Sequence, residues 1–149
     1  RLLAPGGLLM FTTYGPDTLR ELRAAFAAVD ALPHVHRFVD MHDLGDMLVE
    51  AGFAAPVMDM EDITLTYTDF PALLADLRST GQRNASKGRR RGLMGRGAFR
   101  RAADAYEAMR VNGRLPATFE IVYGHAWCGE PRRAADGRQI VRFEKGETR

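Results

Sequence analysis

The sequence holds 149 residues with a net charge of +2 and a single cysteine, Cys128, enough chain for one hydrophobic core and no internal disulfide. No apolar run approaches the roughly 18 residues of a membrane-spanning helix and no signal-type segment opens the chain, so a cytoplasmic protein with no membrane association is expected. The charge is unevenly spread: Leu77 to Ala103 carries nine basic residues and no acidic one, while the remainder has 12 basic against 19 acidic residues, which reads as a local basic patch that attracts an anionic partner.

Taken in chain order, Pro5-Gly6-Gly7 is a breaker and Leu8 to Thr13 is an almost continuously apolar run, the pattern of a strand buried on both faces of a parallel sheet. Asp17 opens a helix whose Leu19, Leu22, Phe26 and Val29 recur at helical spacing, and residues 30–37 read as a loop. Asp40-Met41-His42-Asp43 resembles a capping box, followed by a helix with Leu44, Met47, Leu48 and Ala51 on one face that stops at Gly52. A second strand is expected over Val57 to Tyr67. Pro71 sits in the first turn of a short helix carrying Leu73, Leu74 and Leu77. Gln82 to Gly97 is a basic, Gly-rich loop; Phe99, Ala102, Ala103, Tyr106 and Met109 mark a helix; and Thr118 to Trp127 is a third strand. From Gly129 the composition reads as a mostly disordered tail, with a short extended piece at Gln139 to Phe143. Alternation of this kind argues for an α/β layer structure, although three strands alone leave an unpaired apolar edge.

Several segments in this order carry a resemblance. They are Phe11-Thr12-Thr13-Tyr14-Gly15-Pro16-Asp17-Thr18-Leu19, the run from His34 to Asp46, Ala51-Gly52-Phe53, Ile63-Thr64-Leu65-Thr66-Tyr67, Gly81 with Asn84, and Leu115 to Glu120. Over residues 1–127 the chain resembles the C-terminal half of the BioC-type malonyl-acyl-carrier-protein O-methyltransferases, which are class I S-adenosyl-L-methionine-dependent enzymes of biotin synthesis. The resemblance implies the last three strands of a Rossmann-like α/β sheet over residues 1–128, the final strand running antiparallel, with a helical, basic insertion over about residues 68–116. The mitochondrial complex I assembly factors implicated in arginine hydroxylation share much of the pattern and stay an alternative. The resemblance also implies that most of the S-adenosyl-L-methionine site, a Gly-rich turn after the first strand and an acidic residue after the second, precedes the residues present here. Gly92, Gly95 and Gly97 do not replace that turn, because no strand leads into them.

If this reading holds, the nucleophile is a malonyl carboxylate, ionised near pKa ~4, and no general base is required. Catalysis then rests on positioning and partial desolvation. Open α/β sheets bind ligands at the carboxyl ends of their parallel strands, so Thr12, Thr13 and Tyr14 should border a substrate cavity, with Tyr14 as a hydrogen-bond donor; the alternative for Tyr14 is packing of the strand-to-helix turn. His36 and Arg37 are candidate lid residues, and Asn84 a candidate substrate contact or loop organiser. His34, His36 and His42 have neither a cysteine nor a second cluster beside them, so no metal site is expected. Lys87, Arg89, Arg90 and Arg91 are the candidate dock for an acidic acyl carrier protein bearing the malonyl group. A non-catalytic binding module is the competing class. Nucleic acid is not the expected partner, because Phe99 is the one aromatic residue in the basic stretch.

Overall fold

A computed structural model describes residues 3–129; the expected tail and its extended piece lie outside the described residues. The apolar run after Pro5-Gly6-Gly7 forms β1 (Leu8–Tyr14). The β-branched stretch forms β2 (Phe53–Tyr67), which starts four residues earlier than expected and has an irregularity in pairing between Ala54 and Val57. The last strand, β3 (Leu115–Cys128), exceeds its expected bounds at both ends. The sheet order is β1-β3-β2, with both outer strands antiparallel to β3. The final strand runs antiparallel, as the resemblance implies, and enters between two co-directional strands.

Among the described residues β1 pairs with β3 alone, so its other edge is unpaired, as expected of three strands by themselves. Alternation of side chains along β1 sends Leu8, Met10 and Thr12 outward, Met10 to 72% exposure.

The helices are α1 (Arg20–Ala27), α2 (Met41–Glu50), α3 (Phe70–Ser79) and α4 (Arg96–Glu107). Local chemistry sets several of their ends. The Asp40 side chain accepts the His42 N–H at 2.8 Å to cap α2, and Gly52, at φ 84°, closes the helix in the left-handed conformation that glycine adopts without strain. Asp69 accepts the Ala72 N–H at 2.8 Å at the start of α3, with Pro71 in the first turn. Helix α4 begins three residues before Phe99, so the basic loop is shorter than its composition suggests.

Residues paired across the sheet share a face. On one face Leu115, Ala117, Phe119 and Ile121 of β3 meet Leu22 and Phe26 of α1, Leu73 and Leu77 of α3, and Ala102 and Tyr106 of α4, which form the core. The buried Tyr106 hydroxyl donates to the Pro116 carbonyl at 2.7 Å, and burial pushes its phenol well above the ordinary range. Farther along the same face Leu8, Met10, Val57, Tyr123 and Trp127 are exposed. Helix α2 lies against the opposite face, where a Cβ on Gly45 would stand 3.6 Å from Met58.

Candidate functional site

The carboxyl end of β1 is locked onto the start of β3 by a turn. Gly15 N–H donates to the Glu120 carbonyl at 2.9 Å and Leu19 N–H to the Thr118 carbonyl at 2.6 Å. The Thr18 hydroxyl donates to the Glu120 carbonyl and accepts the Glu120 N–H, standing in for a strand residue in the ladder. The buried Glu120 carboxylate accepts the Asp17 N–H at 2.6 Å. Helix α1 starts at Arg20 and not at Asp17 because Leu19, just before it, leaves the right-handed helical region. Leu19 is held at φ 55°, a left-handed conformation that costs a side-chain-bearing residue roughly 1–2 kcal/mol. The bonds around it hold that strain in place.

Beside this turn lies a cavity of about 190 Å³ bounded by Tyr14, Thr18, Leu19, Leu22, His34, Val35, His36, Phe38, Leu77, Gln82, Arg83 and Asn84. It brings Tyr14, His36 and Asn84 together, three residues that sequence spacing alone does not associate. Tyr14 packs edge-on to Phe38 at 5.5 Å and against Phe119 at 6.0 Å. Its hydroxyl oxygen accepts Gln82 Nε2–H at 3.1 Å. Because the amide supplies that hydrogen, the tyrosine's own O–H proton is available for another acceptor. Gln82 was invisible as a site residue in the sequence; no local pattern marks it.

His36 and Asn84 organise the loop that forms one wall. The Ala85 N–H donates to His36 Nε2 at 3.0 Å, the same nitrogen stands 3.3 Å from the Arg83 carbonyl, and Nδ1 lies 3.4 Å from Ser86 Oγ. Asn84 Nδ2–H donates to the Pro33 carbonyl at 2.6 Å, and Asn84 Oδ1 accepts the Ser86 N–H at 3.0 Å. Both polar ends of Asn84 are thus committed to backbone.

Three expected residues fall elsewhere: Thr12, Thr13 and Arg37, of which Thr12 is exposed on the sheet beside Met10 and Tyr123. Thr13 lies on the sheet face opposite Tyr14, since adjacent strand residues point to opposite sides, and is not brought to the cavity. Arg37 borders a wider depression of about 780 Å³ formed with Pro16, Arg23, Asp30 and Pro33.

The basic loop is also divided by the structure. Arg90 donates to Asp30 at 2.8 Å, and the same carboxylate accepts from His34 Nε2 and from the Leu32 N–H, each at 2.9 Å. Arg90, first among these, holds the Asp30 carboxyl well below the usual carboxylate range. His34 stacks on Phe26 with ring centroids 4.2 Å apart. Arg90 therefore ties two loops together, a contact that Arg89 and Arg91 do not share. Lys87, Arg89 and Arg91 are exposed, Arg89 reaching only its own loop at the Ser86 carbonyl.

Comparison with known proteins decides the family. The chain is 58% identical over 146 residues to a malonyl-[acyl-carrier protein] O-methyltransferase of Laribacter hongkongensis, covering 96% of this chain and 49% of the relative. It is 56% identical over 142 residues to the protein of that name from Gallionella capsiferriformans, with 95% and 49% covered. A third relative, malonyl-[acyl-carrier protein] O-methyltransferase 1 of Coxiella burnetii, is 48% identical over 144 residues, with 95% and 50% covered. The chain belongs to this family. It corresponds to the C-terminal part of a malonyl-[acyl-carrier protein] O-methyltransferase and spans about half the length of the curated relatives it matches. No protein-family model matches the chain.

The methyltransferase family name implies a methyl donor, S-adenosyl-L-methionine, and the described residues do not fit one. The strand-to-helix turn at the carboxyl end of β1 is filled by the Glu120 carboxylate, which stands 2.3 Å from where a Cβ on Gly15 would be. Among the described residues no group of three or more metal-ligating side chains converges, and no helix is long and apolar enough to cross a membrane.

Proposed function

We propose that this chain forms the acceptor-facing part of a cytoplasmic, S-adenosyl-L-methionine-dependent O-methyltransferase that esterifies the free carboxylate of malonyl-acyl-carrier protein in biotin synthesis. The observation that carries this reading is the 58% identity, over nearly the whole chain, to a protein named for that reaction.

The site chemistry supports it. A malonyl carboxylate is already ionised at neutral pH, so the site needs to bind and orient an anion without removing a proton. The cavity is lined by a tyrosine hydroxyl, a threonine, two histidines, two amides and Arg83, with no Asp or Glu among its lining residues. Gln82 sets the Tyr14 hydroxyl with its proton outward, toward an acceptor oxygen. The apolar side chains of Leu19, Leu22 and Val35 remove part of the water shell from the bound anion. In this reading Tyr14 and Arg83 hold the malonyl carboxylate, His36 and Asn84 fix the wall around it, and Lys87, Arg89 and Arg91 attract the acidic carrier. The methyl donor is held by parts of the protein other than the residues described, and no step is routed through it.

The test is methyl transfer by the full-length protein from isotopically labelled S-adenosyl-L-methionine to malonyl-carrier protein, with acetyl-carrier protein as control. Base-labile label on the malonyl form alone is the expected result. Label on neither carrier overturns the reading.

A further inference from the structure

We infer that Leu93 is the apolar anchor of a docking surface for an acidic protein, with Arg89, Arg91, Arg96 and Arg100 as its cationic rim. Identification of that partner as the malonyl-bearing carrier rests on the proposed function; the chemistry of the surface does not. Leu93 is 99% exposed, with its whole side chain in water at the centre of the basic segment. Single half-exposed apolar residues are ordinary on a protein surface, but a fully extruded leucine flanked by cations is not explained by packing. The same loop turns other apolar groups inward: the next residue, Met94, is half-buried and packs on the core.

The start of α4 departs from local preference as well. Its first turn holds no acidic residue, its N-cap Gly95 makes no side-chain bond, and Arg96 occupies the first helical position. The positive end of the helix dipole favours Asp or Glu there and disfavours arginine. Arg96 and Arg100 lie one turn apart, on a side of α4 away from the buried Ala102 and Tyr106. Among the described residues the ion pairs within 4 Å leave Arg89, Arg91, Arg96 and Arg100 out; Arg90 alone of the loop is matched, by Asp30. A merely solvated loop gains nothing from a leucine at 93 and cations at the helix start. A partner with carboxylates ringing a small apolar depression gains from both, because the cations steer encounter and the desolvated leucine holds the complex. Nucleic acid is disfavoured: leucine cannot stack on bases, and Phe99 packs on Phe70 at 5.6 Å.

The experiment uses the full-length protein with Leu93→Asp, Leu93→Met and the double variant Arg96→Glu/Arg100→Glu. Steady-state kinetics are measured on malonyl-carrier protein and on a small malonyl thioester, and carrier binding is titrated separately without methyl donor. Leu93→Asp should weaken carrier binding and raise the carrier KM about tenfold or more, on the scale of an interface hot spot. Its kcat, its thermal midpoint and the kinetics on the small thioester should hold, and Leu93→Met should stay near wild type. The double arginine variant should lose most of the salt dependence of carrier binding. A lowered thermal midpoint for Leu93→Asp overturns the inference, since the leucine would then be covered within the protein itself. Equal losses on both substrates overturn it too, as does unchanged carrier binding with lost binding to RNA or anionic vesicles. If the wild-type protein methylates neither substrate yet binds the carrier through Leu93, the methylation reading fails and the docking surface stands.

Discussion

The carboxylate of Glu120 accepts the backbone N–H of Asp17 at 2.6 Å, joining the middle of the last strand to the turn after the first across 103 positions of chain. Glu120 is 4% exposed, and its carboxylate occupies the space into which any side chain at Gly15 would grow. The bond and the missing side chain are two halves of one device that fixes the turn after β1.

In the full-length protein Gly15→Ala should therefore destabilise by about 1–3 kcal/mol through overpacking. Glu120→Ala should cost a similar ~1–3 kcal/mol by stranding the Asp17 amide. Combined, the two should cost less than their sum, because removing the carboxylate makes room for the methyl; a coupling of about 1 kcal/mol is expected from urea unfolding. Strict additivity would mean that the turn moves away from Glu120 as a unit.

The clamp between Asp30 and Arg90 has a defined pH range. The folded-state Asp30 carboxyl lies well below its ordinary value, chiefly through Arg90. A depressed carboxyl contributes stability that is fully present above its unfolded pKa of ~3.9 and lost as pH falls through the folded value. The two loops should stay joined at neutral pH and loosen only below about pH 4. Asp30→Asn should raise tryptic cleavage at Arg89 to Arg91 severalfold at neutral pH, and its difference from wild type in resistance to an acid-active protease should shrink in strong acid.

Arg89→Glu/Arg91→Glu and Arg90→Glu should behave differently in the full-length protein. The pair should raise the KM for malonyl-carrier protein with little change on a small malonyl thioester, and should weaken the rise of KM with ionic strength, since exposed charges act over a Debye length of about 8 Å at physiological salt. Arg90→Glu places a like charge against Asp30 and should open the loops, affecting both substrates. Equal effects of all three arginines on the carrier alone would contradict the division.

Tyr14→Phe removes the hydroxyl that Gln82 orients, and Gln82→Leu removes the orienting amide while leaving the hydroxyl. If the hydroxyl binds the malonyl carboxylate, Tyr14→Phe should lower kcat/KM on both substrates by about 10- to 150-fold, one hydrogen bond to an anion being worth about 1.5–3 kcal/mol. Gln82→Leu should lower it less, because the hydroxyl can still rotate toward its acceptor. Full activity in Tyr14→Phe would reduce Tyr14 to a packing role.

The 149-residue chain by itself should not bind S-adenosyl-L-methionine at micromolar concentration in isothermal titration, since its described residues build no cradle for it. It should also self-associate in light scattering, through the exposed Leu8, Met10, Val57 and Trp127 and the outer edge of β1. A monodisperse, cooperatively melting monomer would show that this surface is tolerated in water.

Much of the architecture was legible because its causes are local. Asp40, Gly52, Asp69 and Pro71 set helix ends with bonds or dihedral preferences that reach no more than three residues, and the strands announce themselves by apolar and β-branched runs. The family, too, could be read from short segments in order. Which residues act together could not. Lys87, Arg89, Arg90 and Arg91 are equivalent in sequence, and an aspartate 60 positions earlier pairs with Arg90. Thr13 and Tyr14 are neighbours in sequence, but alternation sends them to opposite faces and only the packing of α1 and α3 decides which face holds the cavity. Gln82 reaches Tyr14 across 68 positions and Glu120 reaches Asp17 across 103. Composition and periodicity report the free energy of a residue against its chain neighbours. Pairings made by hydrogen bonds over such separations depend on where the sheet register and the helix layer bring the backbone, and that was decided in three dimensions.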